Sequence, residues 1–209
     1  MTDPRTPVFE AVRKIAPPGV FNDPGNMMAL HNILDALGAA RASTAERTLG
    51  RKGEALIKKW EGYADDLGDG RVRAYPDPAT GGAPWTIGWG STGPDIHKGT
   101  VWTRQQAQER FASRVEEFAA DVRTLIGSAP TTQEQFDAML SLAYNVGSDI
   151  DADDIAEGLG DSTLLKKHLR GDYAGAAAEF AKWNKAGGRV MSGLTKRRAE
   201  EARLYRGEA

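Results

Sequence analysis

The chain has 209 residues, no cysteine and a formal net charge of −2. This length suits one domain with two lobes, whose core is large enough to be stable without disulfides or a structural metal. The lack of cysteine excludes thiolate nucleophiles and cysteine-ligated zinc, and the near-neutral charge gives no bulk reason to expect nucleic acid as a partner.

The first 52 residues are predicted to form an accessory helical segment. Val8, Val12 and Ile15 have the spacing of one helical face, and apolar residues between Met28 and Leu37 favour a second helix. Two short amphipathic helices bury little apolar surface by themselves. We therefore interpret the segment as a cap packed on the main body, with an anchor for a partner or a weakly ordered extension as alternatives.

The middle of the chain changes from a helical to a strand-like pattern. A helix is predicted from Gly50 to Trp60, with Glu61 at its end. From Gly62 to Gly99 the helical period disappears, Gly, Pro and Asp are dense, and the runs Val72–Tyr75 and Trp85–Trp89 favour strands. We therefore expect a small lobe of two or three strands beside Glu61.

The rest of the chain predicts helices. Thr103 and Gln106 form a capping-box pattern that opens a helix from about Arg104 to Ile126. Pro130 begins the next helix, which ends at Gly147. Three further amphipathic helices are expected over Leu164–Leu169, Tyr173–Trp183 and Leu194–Tyr205. The predicted fold class is α+β, with a small β lobe, a long connecting helix and a larger helical lobe, and a ligand cleft is expected between the lobes.

Charge is unevenly distributed in the second half of the chain. Residues 147–161 include six acids and no base, whereas residues 164–206 hold eleven Lys and Arg against four Asp and Glu. We interpret the basic helices mainly as solvated faces, with attraction of a polyanion as the alternative. Nucleic acid is disfavoured because no basic strand with interleaved aromatic residues is visible.

Two carboxylates and a hydroxyl stand out in the strand-like region. Glu61 follows Trp60 where a helix ends, and loss of water there disfavours the charged form, as a general acid requires. Asp77 lies between two prolines that restrict its backbone, and Thr86 lies in a short aromatic strand. Each has an ordinary interpretation: a solvated charge, an aspartate that caps its own turn, and a β-forming threonine. Together they suit acid–base hydrolysis of a glycosidic bond.

These residues lie in a pattern that resembles the catalytic region of the phage-type lysozymes, the endolysins of glycoside hydrolase family 24. The similarity continues into the helix that borders the family's cleft and into its C-terminal signature. The matching stretches are Glu61-Gly62, Ala74–Pro78, Trp85–Gly90, Phe136–Gly147, and Trp183 to Arg198 followed by Glu200 or Glu201. The resemblance therefore predicts a lysozyme-like catalytic domain over residues 53–209, with residues 1–52 outside it.

The resemblance implies a peptidoglycan hydrolase that cleaves the β-1,4 bond between N-acetylmuramic acid and N-acetylglucosamine. It implies Glu61 as the acid that protonates the leaving oxygen. Asp77 would activate the attacking water or stabilise the oxocarbenium-like state, and Thr86 would help to hold that water. Tyr144 and Asn145 would line the sugar cleft. Inversion is favoured by the resemblance alone, because the sequence does not give the separation of the two carboxylates.

The resemblance also implies a monomer without cofactor or metal, with peptidoglycan as its partner. No run approaches the roughly 20 apolar residues of a membrane span, and residues 1–18 lack the apolar stretch of a secretory signal. We therefore expect synthesis in the cytoplasm of a bacterial host and action on the cell wall after holin-type release or from the virion. The alternatives are a lytic transglycosylase and a non-catalytic cell-wall-binding or virion module on the same fold.

One departure from the family concerns the interval between the two carboxylates. Glu61 and Asp77 are 16 positions apart, more than in the compact members of the family, because of the extra segment Ala64–Gly70. This segment supplies three rival carboxylates, which we expect to be poorer candidates because their setting is rich in glycine. They are Asp65, Asp66 and Asp69.

Metal-binding patterns are weak. Asp149, Asp151 and Asp153 begin like an EF-hand loop, but Asp154 stands where that loop needs glycine and Gly160 where it needs glutamate. We expect a solvated acidic loop instead. The three histidines form no His-Glu-x-x-His motif, and solvated or core-edge positions are predicted for His31, His97 and His168.

Overall fold

The computed structural model describes residues 6–17, 20, 26, 29–30, 33–34, 47–63, 65–77, 80–150 and 157–208. The chain forms two compact units. The β unit is Glu54–Glu117, and the helical unit combines Met1–Gly53 with Phe118–Ala209. The predicted α+β class is confirmed, since short strands occupy the first unit, helices dominate the second, and a long helix runs from one to the other. The division into residues 1–52 and 53–209 stays a prediction.

The N-terminal helix forms as predicted but buries a different face. α1 spans Thr6–Ile15. Val8 is 38% exposed and Ile15 83%, whereas Phe9 is only 5% exposed and packs against Leu34. The predicted apolar face of Val8, Val12 and Ile15 was therefore wrong, because the aromatic ring at the next position offers more surface to bury. Most of the predicted second helix lies outside the described residues.

Short antiparallel strands form the sheet part of the β unit. The helix α2 (Arg51–Glu61) leads into it. The strand β1 (Arg71–Arg73) pairs with β4 (Val101–Thr103), and β2 (Tyr75–Pro76) pairs with β3 (Trp85–Thr86). The described residues of the β unit thus form four strands in two sheets, where two or three strands were predicted.

The core of the β unit is apolar and draws on both the helices and the strands. Ile57 is the large buried side chain of α2, and Val72 is the buried residue of β1. The other large apolar side chains buried in this unit are Ile87, Trp89, Ile96, Phe111 and Val115. Burial of this many apolar groups gives so small a unit a fixed interior against which a site can be held.

Two long helices form where they were predicted: the first has the predicted bounds and cap, and the second begins at Gln133 rather than at Pro130. The helix α3 (Arg104–Ile126) begins with the expected capping box: the Thr103 amide donates to Gln106 Oε1 at 2.8 Å, and the Gln106 amide donates to Thr103 Oγ1 at 3.2 Å. The helix α4 (Gln133–Val146) begins with a second capping box and ends at Gly147. Reciprocal caps satisfy backbone donors that a helix start leaves open.

The C-terminal part contains one feature that the periodicity did not predict. Helices α5 (Thr163–Leu169) and α6 (Tyr173–Glu179) pack on each other, and a 3₁₀ turn follows α6. An exposed hairpin of β5 (Lys185–Ala186) and β6 (Arg189–Val190) comes next. The helix α7 (Ser192–Tyr205) then packs against α4. Strands of two residues are too short to leave a period in the sequence.

The buried histidine of the helical unit corrects another prediction. His168 is 1% exposed, so it is neither solvated nor at the core edge. Its Nε2 lies 2.8 Å from Thr131 Oγ1, and its Nδ1 is hydrogen-bonded to the Tyr205 hydroxyl. Both ring nitrogens are therefore satisfied, which makes burial of the ring tolerable. His97 is exposed, as predicted, and His31 lies outside the described residues.

The start of the acidic loop is organised by one carboxylate. Asp149 Oδ2 accepts hydrogen bonds from the amides of Glu157 and Gly158 at 3.1 and 3.0 Å. The remaining positions of the EF-hand-like pattern lie outside the described residues, apart from Gly160. Among the helices that the structure describes, none is both long and apolar enough to cross a membrane.

Candidate active site

Glu61 is the last residue of α2, and its carboxylate lies against the backbone of Gly90. The next residue, Gly62, has a φ of +72° and turns the chain away from the helix axis. Glu61 is half-buried. A Cβ atom on Gly90 would lie 2.9 Å from Glu61 Oε2. The carboxylate therefore occupies space that any residue other than glycine at position 90 would fill.

Gly90 belongs to a tight turn that the sequence encodes with two glycines. The Ile87 amide donates to the Ser91 carbonyl at 2.9 Å, and the Ser91 amide donates back at 3.0 Å. Between them Gly88 and Gly90 have φ values of +62° and +76°, in the region that favours glycine. These glycines explain why the predicted strand Trp85–Trp89 ends at Thr86.

An aromatic and cationic cluster holds this turn in the core of the β unit. The ring of Trp89 lies 4.6 Å from Tyr63 and 5.7 Å from Phe111, measured between centroids. Lys58 Nζ lies 4.4 Å from the Trp89 ring and 2.6 Å from Glu54 Oε1. The hydrogen bond from Lys58 holds the pKa of Glu54 below its usual value. Lys58, which lies one helical turn before Glu61, therefore forms an ion pair with Glu54 and cation–π contacts with the aromatic rings.

Asp77 is fixed at the base of the loop between β2 and β3. Its amide donates to the Gly82 carbonyl at 3.0 Å, and its carbonyl accepts from the Gly81 amide at 2.8 Å. Its Oδ1 accepts from the Thr80 amide at 2.9 Å. The ordinary role considered for this residue, a turn cap, is therefore present. That role also fixes the orientation of the carboxylate.

Tyr75 lies on the strand that pairs with the strand of Thr86. Tyr75 and Thr86 are paired across β2 and β3. Burial, followed by the negative charge of Glu61, raises the pKa of Tyr75. Glu61 and Tyr75 thus interact electrostatically, and both lie in the β unit. The structure thus places all three predicted catalytic residues, including Asp77, in the β unit.

The rival carboxylates make local contacts with their own segment. Asp69 Oδ2 forms an ion pair with Arg71 at 2.6 Å, and the hydrogen bonds from Arg71 lower the pKa of Asp69. Asp65 lies 4.0 Å from Arg73. Asp66 Oδ1 accepts from the amide of Gly68 at 2.9 Å. All three of these residues are exposed, whereas Asp77 is half-buried, which favours Asp77 over them.

The two predicted substrate-binding residues lie at the C-terminal end of α4, in the helical unit. Tyr144 is 7% exposed, and its ring lies 5.3 Å from Phe118, so it packs in the core. Asn145 is exposed, and its Oδ1 accepts a hydrogen bond from Arg198 Nη2 at 3.0 Å. Of this pair, Asn145 has the accessibility that contact with a ligand requires.

Sequence reasoning missed the role of Gly90 and left one acid undecided. The signal for Gly90 was present as a glycine directly after the aromatic strand, but its approach to Glu61 depends on the fold. The C-terminal signature left Glu200 and Glu201 open. Glu201 is the buried partner of Arg197 and Arg198, and its i+4 and i+3 spacing from them is the helical signal that favours it.

Two further observations bear on the type of site. Within the described ranges, no group of three or more His, Cys, Asp or Glu side chains is arranged to hold a metal ion. The sequence model of the family described as phage lysozyme matches residues 58–201. The chain belongs to the phage lysozyme family. All five predicted site residues lie inside the matched region.

Similarity to individual members of the phage lysozyme family agrees with this assignment. The chain is 38% identical over 157 residues to an endolysin of Bacillus phage B103, which covers 75% of this chain and 53% of the relative. This chain therefore spans about half the length of that relative. An endolysin structure from Escherichia coli O157:H7 phage FAHEc1 is 33% identical, with a TM-score of 0.63 over 79% of this chain and 96% of that chain.

A bacterial protein shares the same fold. The muramidase domain of SpmX from Asticaccaulis excentricus is 28% identical, with a TM-score of 0.61 over 76% of this chain and 98% of that chain. The predicted family and the predicted lysozyme-like fold are therefore confirmed.

Proposed function

We propose that this chain is a phage endolysin that hydrolyses the β-1,4 bond between N-acetylmuramic acid and N-acetylglucosamine in peptidoglycan. The observation that carries the proposal is the position of Glu61. It is a half-buried carboxylate at a helix end, held against Gly90, inside the region that matches the phage lysozyme family. Such a setting gives the carboxyl group the fixed position that a general acid needs beside its substrate.

In the proposed reaction, Glu61 protonates the glycosidic oxygen as the bond from that oxygen to the anomeric carbon breaks. The leaving sugar departs as an alcohol, and positive charge develops on the ring that remains. The fixed carboxylate of Asp77 stabilises this charge or accepts a proton from the water that attacks the anomeric carbon. The Thr86 hydroxyl, which can donate one hydrogen bond and accept two, holds that water.

The proposed route is inversion, which the family resemblance favours. In this route the water adds directly to the anomeric carbon from the face opposite the leaving group. Proton NMR of the first product formed from a defined muropeptide oligomer tests this. An initial α-anomer is expected from a β-linked substrate, and an initial β-anomer would indicate the retaining route.

Replacing Glu61 by glutamine tests the assignment of the acid. The amide keeps the shape of the side chain but has no acidic proton, so we expect loss of activity by about 100-fold or more in the clearing of purified cell walls. Asp69→Asn is the matched control, because it removes an exposed carboxylate that already pairs with Arg71. Wall clearing by Glu61→Gln at the rate of the parent would show that Glu61 is not the acid, whereas a parent protein that clears no walls would favour a non-catalytic wall-binding module.

The products distinguish hydrolysis from the lytic transglycosylase reaction. A transglycosylase closes an internal anhydro ring and uses no water, so it needs one acid only. Hydrolysis needs a second residue to manage the water, and Asp77 and Thr86 can provide this. Mass spectrometry of the released muropeptides should show reducing ends with one added water, whereas anhydro-muramyl ends would overturn the hydrolytic mechanism.

The remaining proposals concern where and in what form the protein acts. We propose that it is made in the cytoplasm of the bacterial host and reaches the wall after holin-type release or on the virion. We propose that it works as a monomer without a cofactor, with residues 1–52 as an accessory segment outside the catalytic domain of residues 53–209. Size-exclusion chromatography with light scattering checks the monomer.

A further inference from the structure

A buried charged cluster joins α4 and α7 within the helical unit. Glu201 Oε1 accepts hydrogen bonds from Ser141 Oγ at 2.7 Å and from Arg197 Nε at 3.0 Å. Arg198 Nη2 donates to the same oxygen at 2.9 Å, and Arg198 Nε lies 2.7 Å from Glu201 Oε2. Arg198 and Glu201 are both 0% exposed. Two guanidinium groups therefore converge on one carboxylate in the interior.

A gain in protein stability does not by itself explain the presence of such a buried charged cluster. Burial strips water from each charged group, and apolar side chains of similar volume often stabilise a protein as well or better. A buried polar cluster does supply fixed geometry where hydrogen bonds orient its groups, as they do between Arg198 Nη2 and Glu201 Oε1. A functional role for the cluster is therefore expected at the point where it reaches the protein surface.

The cluster meets the surface at Asn145. Arg198 Nη2 donates to Asn145 Oδ1 at 3.0 Å. A guanidinium group has donors only, so the carboxamide must turn its oxygen towards Arg198. The amide nitrogen of Asn145 then points away with two N–H donors. Asn145 is exposed, and no residue in the described part of the chain takes a hydrogen bond from this nitrogen.

We propose that Arg198 is a positioning residue that orients Asn145 so that its amide N–H groups bind the acetamido carbonyl of an N-acetylated sugar. This inference rests on the proposed function, since it assigns the chemical group of peptidoglycan that Asn145 recognises. Glu201 in turn fixes Arg198, because Arg198 contacts the carboxylate through two nitrogens while it holds Asn145.

The fixed polarity of Asn145 makes the contact selective. An acetamido carbonyl accepts from an N–H donor, whereas the ammonium group of an N-deacetylated sugar is itself a donor. Facing a fixed donor, the ammonium finds no acceptor and leaves the amide unpaired. A site built to hydrogen-bond a particular group discriminates strongly against a ligand that lacks it. We therefore expect the enzyme to prefer N-acetylated walls over N-deacetylated walls.

The decisive variant is Asn145→Asp. The carboxylate has the same shape and accepts from Arg198, but it offers no donor to the sugar. On N-acetylated walls we expect KM to rise about 10-fold while kcat changes less than about 3-fold, since a binding contact is lost and the acid is untouched. The preference for N-acetylated over chemically N-deacetylated walls should fall towards 1. Asn26→Asp, an exposed substitution in the N-terminal segment, controls for the added charge.

Arg198→Lys tests the positioning role directly. Lysine keeps the charge but has a single nitrogen, which cannot bind both oxygens of Glu201 and the carboxamide together. In a variant whose circular dichroism matches the parent, we expect the same rise in KM and the same loss of preference. In the Asn145→Asp background, Arg198→Lys should change KM and the N-acetyl preference very little, because the two residues act through one contact. If Arg198→Lys does not fold, Asn145→Asp alone decides.

The outcomes separate this inference from the proposed function. An Asn145→Asp enzyme that keeps the KM and the N-acetyl preference of the parent overturns the inference, as does a parent that cleaves N-deacetylated walls equally well. Retention of both properties by a folded Arg198→Lys enzyme overturns the role of Arg198. In each case the hydrolase assignment stands if Glu61→Gln is inactive. A parent protein that clears no walls removes the proposed function itself.

Discussion

Glu61 Oε2 and the α-carbon of Gly90 are so close that a Cβ atom on Gly90 would lie 2.9 Å from the carboxylate oxygen. Real Cβ contacts are essentially never shorter than about 3.0 Å. The glycine therefore does two things. It adopts a φ of +76°, and it leaves room for the side chain that we propose as the catalytic acid.

Gly90→Ala should greatly reduce the rate of wall clearing but should lower the free energy of unfolding only moderately. The added methyl group displaces the Glu61 carboxylate, and a displacement of this size can cost up to about 100-fold in rate. Wall clearing by the purified variant measures the effect. Gly99→Ala is a matched control, because Gly99 has a φ of +89° and an added methyl group there would meet nothing within 4 Å. Both variants should lose about 1–2 kcal/mol of unfolding free energy from backbone strain, but Gly99→Ala should keep its activity.

Gly53→Ala should destabilise the protein, although alanine usually favours a helix. A Cβ atom on Gly53 would lie 2.7 Å from the Cβ and Cγ atoms of Asp137. Asp137 also accepts hydrogen bonds from the amides of Gly50 and Gly53 at the start of α2. We expect a loss of about 1–3 kcal/mol in urea unfolding. Gly193→Ala, in α7, where an added methyl group would meet nothing within 4 Å, should instead gain about 0.5–1 kcal/mol.

The sequence predicted the long helices well because their signals are local. The helix over residues 104–126 was bounded by a capping pattern and the next helix by Pro130 and Gly147, and both have an apolar period that repeats over several turns. The catalytic candidates were found in the same way, since Glu61 ends a helix and Asp77 and Thr86 flank a turn. Such features depend on residues within a few positions of one another, so the order of the chain contains them.

What the sequence did not reveal depends on contacts between distant positions. His168 is buried because Thr131 and Tyr205, each 37 positions away, satisfy its two nitrogens. Gly90 matters because the fold places it against Glu61. Arg198 meets Asn145 across 53 positions. Phe9, rather than Val8, faces inward because of its contact with Leu34. None of these long-range contacts produces a periodic pattern in the sequence.

The buried histidine should make the protein less stable in mild acid. Burial, and secondarily the charge of Arg47, lowers the pKa of His168 to about 3. Since this is below the ordinary value of 6.5, the unfolded chain takes up the proton first, and the stability present above pH 6.5 is lost as the pH falls towards 3. Between pH 7 and pH 5 this amounts to about 2 kcal/mol.

Urea unfolding at pH 7, 6 and 5 measures this contribution. His168→Gln should be less stable at pH 7 but should lose about 2 kcal/mol less than the parent on acidification. His97→Gln serves as the control, because His97 is exposed. A His168→Gln profile parallel to that of the parent would show that His168 does not cause the acid sensitivity.

Asp77→Asn should separate the two roles of that residue. Its Oδ1 accepts from the Thr80 amide at 2.9 Å, and an asparagine oxygen can accept the same hydrogen bond. The turn, and with it the unfolding free energy, should therefore change by less than about 0.5 kcal/mol. The amide cannot take a proton from water or balance positive charge on the sugar ring, so wall hydrolysis should fall by about 100-fold or more. Asp77→Ala, which removes the cap as well, should lose both activity and about 1 kcal/mol of stability. If Asp77→Asn hydrolyses walls as fast as the parent while Asp77→Ala is merely less stable, the residue is a turn cap, and the second catalytic carboxylate must lie elsewhere in the β unit.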